Sequence, residues 1–125
     1  MTEDKTQILI QRYPKIFSNK FWFECDDGWF EIINNLCCKI QAYTDDFDKI
    51  EQPVAEQVKE KFGGLRFYIS GGDEYIRKII SEAENEATKT CETCGAPGFR
   101  FVTRGWYRCR CKTCNEQDLK VLENR

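Results

Sequence analysis

A chain of 125 residues, 41% of them hydrophobic and 14% aromatic, has room for one modest core and excludes a pair of large domains. Eight cysteines suit a disulfide-rich secreted protein or a metal-binding intracellular one. The charged start MTEDKTQILIQRYPK, with no apolar run of signal-peptide length, points to a reducing cytoplasm, and no segment approaches the roughly 18 apolar residues of a membrane span. The net charge of −2 is unevenly spread: residues 1–90 carry 12 basic and 17 acidic side chains, and residues 91–125 carry 7 and 4. Four zinc-bound thiolates would lower the tail to about +1, too little to identify a nucleic-acid binder by electrostatics alone.

In chain order, EDKTQILIQRY predicts an amphipathic helix ended by Pro14, whose ring and missing N–H do not fit a helix interior. Asp26 and Asp27 are expected to cap a second helix, GWFEIINNLCCKIQAY. Its residues Trp29, Ile32, Ile33, Leu36, Cys37, Ile40 and Tyr43 recur at helical steps and predict the centre of the core. The acidic connection TDDFDKIEQ lacks the glycine and ligand spacing of a calcium loop and reads as solvated.

PVAEQVKEKFGGLRFYIS admits two readings. Pro53 and Gly63 would bracket a short helix, whereas a hairpin turning at Gly63-Gly64 suits the β-forming LRFYI. The hairpin is preferred. It places Val58, Phe62, Leu65, Phe67 and Ile69 on one face and Lys59, Lys61, Arg66 and Tyr68 on the other. A third helix follows from Asp73, with Tyr75, Ile76, Ile79, Ile80, Ala83 and Ala87 at helical spacing. The expected fold is α+β: about three helices and a small antiparallel hairpin in residues 1–90, with a zinc ribbon in residues 91–125 packed on that body.

The segment CETCGAPGFRFVTRGWYRCRCKTC has five cysteines where a tetrahedral site needs four. Cys91 and Cys94 form one Cys-x-x-Cys pair, followed by Gly95. Cys111 and Cys114 form the second, followed by Asn115, which also tolerates a left-handed backbone. Cys109 has no partner at that spacing and is the spare thiol, the alternative being that, two residues before Cys111 on the same side of a strand, it substitutes as a ligand in a minority of molecules. Iron also accepts four thiolates, but nothing else in the chain suggests electron transfer, so one structural Zn2+ per chain is expected. Between the pairs, GFRFVTRGWYRCR predicts a hairpin turning near Arg104-Gly105. Alternation puts Cys109 and Cys111 on one side and Trp106, Arg108 and Arg110 on the other. Arg100, Arg104, Trp106, Arg108 and Arg110, with Lys59, Lys61 and Arg66, are the candidate partner-binding residues; the alternative for the arginines is that they merely solubilise the tail.

Catalysis finds little support. There is no histidine, which removes serine–histidine, cysteine–histidine and histidine–metal chemistries. The carboxylates Asp26, Asp27 and Glu31 fit helix capping, and Cys37-Cys38 lies in an apolar stripe. No catalytic residue is expected.

The segments RYPKIF, FECDDGWFEII, VKEKFGGLRFYISGG and TCETCGAPG, followed by GW and a final ligand pair, resemble a widespread family of small proteins of tailed bacteriophages and prophages. Members generally end with a cysteine and a histidine as the second pair, where this chain has Cys111 and Cys114. The resemblance implies a phage-encoded protein made in a bacterial cytoplasm and supplies no activity. Two functions are weighed: a protein-binding module, such as an inhibitor or adaptor of a host complex, and a nucleic-acid-binding accessory protein using the basic aromatic face of the ribbon. The acidic body, which repels phosphate, favours the first.

Overall fold

A computed structural model describes residues 1–124. Its elements are α1 (Glu3–Arg12), β1 (Phe23–Glu24), a 3₁₀ turn (Asp27–Trp29), α2 (Phe30–Asp46), β2 (Val54–Lys61), β3 (Gly64–Ser70), α3 (Glu74–Ala87), β4 (Phe99–Thr103), β5 (Trp106–Arg110) and α4 (Lys112–Glu123). The α+β expectation holds, with four helices rather than about three and a three-stranded sheet in place of a lone hairpin. No helix among the described residues is long and apolar enough to cross a membrane.

Residues 54–70 form the hairpin, not the helix. Register pairs Val58 with Phe67, Lys59 with Arg66 and Lys61 with Gly64, so the two turn residues are Phe62 and Gly63, one position earlier than expected. Both have positive φ, 53° and 81°, the twist that joins antiparallel strands tightly. Phe62 is consequently 59% exposed instead of facing the core with Val58, Leu65 and Phe67. A bulge between Ala55 and Gln57 resets the alternation, burying Ala55 and exposing Val54. Strand β1 adds to β2 in parallel, with Phe23 opposite Val58.

The inner sheet face joins the helices in one cluster around Trp29, Phe17, Phe23, Ile33 and Ile40. Phe17 meets Phe23 edge-on at 5.0 Å and Phe67 at 6.3 Å, so the loop after α1 fastens to both β1 and β3. At the free edge of β3, the Phe67 N–H donates to Glu84 of α3 at 2.9 Å.

Asp27 is not a side-chain cap for α2; its carboxylate accepts the Thr2 N–H at 2.8 Å, and α2 begins from the 3₁₀ turn. Asp73 does cap α3, accepting the Ile76 N–H at 3.0 Å and the Tyr43 hydroxyl at 2.7 Å. The Ile76 N–H first, then Tyr43, holds its carboxyl below the usual range. This contribution to stability is present above the ordinary value of about 3.9 and lost as pH falls through the folded value. Asp73→Asn, which keeps an N-capping side chain, is expected to flatten the acid side of the stability–pH curve, as read by urea denaturation from pH 3 to 6.

Candidate metal centre

The first ligand pair sits in a tight turn. Cys91 N–H donates to the Ala96 carbonyl at 2.7 Å and Gly95 N–H to the Cys91 carbonyl at 2.9 Å, with Gly95 at φ 82°. Strands β4 and β5 then carry the chain out and back, pairing Arg100 with Cys109 and Thr103 with Trp106. The second pair departs from a ribbon: Cys111 is the N-cap of α4, its sulfur accepting the Cys114 N–H at 3.4 Å. Asn115 is therefore helical and buried, not a left-handed turn residue. The tail is a turn, a hairpin and a helix rather than two matching turns.

This architecture brings the four sulfurs of Cys91, Cys94, Cys111 and Cys114 within 4.8 Å of one another, with Cys94 and Cys111 at 3.7 Å. A tetrahedral ion with metal–sulfur bonds of about 2.3 Å holds its sulfurs about 3.8 Å apart, so the cluster has the size of a four-thiolate metal site. The thiols of the cluster do not share one tendency: burial raises Cys91, but hydrogen bonds from neighbouring N–H groups bring it down to about 7, whereas burial raises Cys114 and Cys94 is raised as well. One ready thiolate disfavours a second beside it, and a cation bound among the four sulfurs would remove that penalty.

Cys109 lies outside the cluster. Its thiol points at the last carbonyls of α3 and the residues after it, 3.5 Å from Ala87, 3.4 Å from Thr88 and 3.1 Å from Thr90, and burial raises its pKa. It is a buried donor that ties β5 to the end of α3. Burial also pushes Cys25 up to about 12 and raises Cys37 further, so neither is a reactive thiol, while Cys38 is exposed.

The predicted outward placement of Arg108 and Arg110 is corrected. The alternation is right, but α4 covers that side of the hairpin: Arg108 is 1% exposed and Arg110 7%. Arg108 donates from Nε and Nη2 to Asn115 at 3.1 and 2.6 Å, and also to the Trp106 carbonyl and Thr103 hydroxyl. Arg110 pairs with Asp118 at 2.8 Å and with Glu92 at 3.4 Å. Desolvation raises Glu92 to about 7, against the pull of the Asp26 N–H and Arg110. At Arg110 desolvation is outweighed by Asp118, which makes Asp118 its principal counter-ion. Trp106 remains 40% exposed, with the Arg108 guanidinium 4.5 Å from its ring. Glu92 and Asp118 were not singled out from the sequence, and Asn115 was read only as a turn residue; a helix over residues 112–123 places Asn115 and Asp118 on one face.

The other candidates remain at the surface. Arg104 is exposed at the β4–β5 turn with φ 52°. Lys59, Lys61 and Arg66 share the outer sheet face as expected, Lys59 lying 5.9 Å from the Tyr68 ring and Lys61 5.6 Å from Phe62. Arg100 is exposed, its guanidinium 4.6 Å over the Tyr107 ring.

The tail is seated on the body through backbone contacts. Gly28 N–H donates to the Glu92 carbonyl at 2.7 Å, Asp26 N–H to the Glu92 carboxylate at 3.0 Å, and the Trp29 indole to the Thr90 carbonyl at 2.9 Å. A Cβ at position 28 would lie 2.1 Å from the Cys91 carbonyl oxygen and 2.3 Å from that of Glu92. Backbone cannot yield as a side chain does, so Gly28→Ala is expected to cost about 3 kcal/mol or more, at the upper end for overpacking, and to shift the denaturation midpoint accordingly. Comparison with family models, with curated proteins and with solved structures finds no match to this chain.

Proposed function

We infer that the chain is a non-enzymatic protein-interaction module whose tail is held by one structural zinc ion, encoded by a phage and acting in the bacterial cytoplasm as an inhibitor or adaptor of a host complex. The four clustered cysteines would fill a tetrahedral shell and leave no position for water or substrate, which supports a folding role for the metal rather than a chemical one. The phage setting rests on the sequence resemblance alone.

The observation that carries the interaction reading is the junction of body and tail. There, exposed Phe62 meets Tyr107 edge-on at 5.9 Å beside Arg66 and Arg100. Aromatic and arginine side chains dominate the energetics of protein interfaces. The nucleic-acid reading loses Arg108 and Arg110, which are buried and engaged within the tail.

The test is affinity capture from the host with the zinc-loaded chain, followed by light scattering on any purified complex. Single- and double-stranded DNA and RNA are titrated at two salt concentrations alongside. A defined stoichiometric complex with a host protein, and no oligonucleotide binding at low salt, is the expected result. Oligonucleotide binding that falls steeply with salt, without a protein complex, would refute the reading.

A further inference from the structure

We propose that the cleft between the body hairpin and the tail receives a carboxylate-bearing segment of a protein partner, gripped by Arg66 and Arg100. This inference rests on the interaction-module reading and names its contact surface. The cleft has a volume of about 420 Å³ and is lined by Phe62, Gly63, Gly64, Arg66, Arg100 and Tyr107, with Thr88 at its margin.

Its two cations are uncommitted. Among the described residues every other arginine except Arg104 has a side-chain acceptor: Arg12 on Asn34, Arg77 on Glu74, Arg108 on Asn115 and Arg110 on Asp118. Arg66 touches only the Leu65 carbonyl, at 3.2 Å, and Arg100 lies over Tyr107 without an acceptor. The Tyr107 ring holds the Arg100 guanidinium at 4.6 Å, and no side chain among the described residues takes up its N–H groups, whose planar fork matches a carboxylate. Arg66 is seated by a missing side chain, since a Cβ at Gly64 would lie 2.7 Å from its Nη1.

The apolar wall is held at a cost. Phe62 occupies a left-handed position, φ 53°, where asparagine or glycine is the unstrained choice, and presents 59% of its surface to solvent. A strained, exposed phenylalanine beside two unpaired arginines points to a partner segment that carries both an acidic and an apolar side chain.

The cleft is built for a short contact. Two cations match one or two carboxylates, whereas a nucleic-acid strand presents a succession of phosphates along a body with an excess of acidic side chains, 17 against 12 basic in residues 1–90. The face of Tyr107 is already covered by Arg100, so the two rings do not offer a pair of free stacking platforms. Arg100 and Tyr107 stand on the tail hairpin while Phe62, Gly63 and Arg66 stand on the body. The cleft exists only while the tail is seated.

The test selects a random-peptide display library on the zinc-loaded chain and measures the strongest binder by fluorescence anisotropy. The expected consensus joins Asp or Glu to an aromatic or aliphatic residue. Affinity should fall roughly a hundredfold in Arg66→Gln plus Arg100→Gln, tenfold or more for each charged hydrogen bond lost. It should fall at least severalfold in Phe62→Asn, and change less than twofold in Lys78→Gln plus Lys120→Gln, which removes equal charge elsewhere. Arg66 and Arg100 have no acidic partner within the described residues, so their variants fold. A consensus without acidic residues, or equal loss in both double variants, would overturn the assignment. A stoichiometric host complex unaffected by the Arg66/Arg100 variant would overturn it while leaving the module reading intact. Salt-sensitive oligonucleotide binding lost in that variant, with no protein complex, would overturn both.

Discussion

Changing Cys91, Cys94, Cys111 or Cys114 singly to serine is expected to abolish stoichiometric zinc in the purified protein, while Cys109→Ser keeps one zinc per chain. The four ligand sulfurs lie within 4.8 Å of one another, whereas the Cys109 thiol faces the carbonyls of Ala87, Thr88 and Thr90. Structural zinc contributes on the order of 10–16 kcal/mol of apparent binding free energy in zinc-finger peptides, so its loss should unfold residues 91–124. Elemental analysis gives the stoichiometry, and amide exchange of the β4–β5 ladder reports the unfolding. Zinc lost from Cys109→Ser and retained in Cys111→Ser would reject the ligand assignment.

Replacing Arg110 by alanine should destabilise the protein by about 3 kcal/mol, the lower end for a broken buried pair. The change leaves buried Glu92, already raised to about 7, without its cation and takes from partly buried Asp118 the nearer of two. The double change Arg110→Ala plus Glu92→Gln removes the buried carboxylate charge and restores none of the lost volume, while Asp118 keeps Arg108 Nε at 3.8 Å. It should be clearly more stable than Arg110→Ala in urea denaturation. If the single and double variants are equally destabilised, the loss belongs to packing of the arginine stem and not to its charge. Neither outcome depends on a partner, since both arginines of β5 are covered by the chain's own helix.

How far the sequence revealed this arrangement depended on the range of each signal. The four-cysteine cluster was legible because Cys-x-x-Cys spacing places two thiols in one turn, and Cys109, which that rule set apart, lies outside the cluster. Helices α1, α2 and α3 were legible from their apolar stripes, and Asp73 from its place at a helix start. Helix α4 was not, since the second cysteine pair was read as a turn like the first and KTCNEQDLKVLE buries only Asn115. That omission alone reversed the reading of Arg108 and Arg110: alternation tells which residues share a side, but not which side another element covers. The two residues of β1 pair across a long loop and carry no local pattern. At the hairpin, Gly63-Gly64 looked like the natural turn. The tip instead presses Gly63 against the Arg108 backbone, where an added Cβ would stand 3.2 Å away, and the turn falls on Phe62-Gly63.

The bond from the Phe67 N–H to Glu84 has a consequence for how this protein meets others. Strand β3 closes one side of the body sheet, and an unpaired edge there would invite a foreign strand to add to the ladder. A carboxylate from α3 already occupies the middle of that edge and places a negative charge where an incoming backbone carbonyl would have to sit. Recognition by strand addition is therefore blocked at β3, as is edge-to-edge aggregation of crowded copies. Glu84→Ala would expose that N–H, and the first sign should be slow, concentration-dependent self-association.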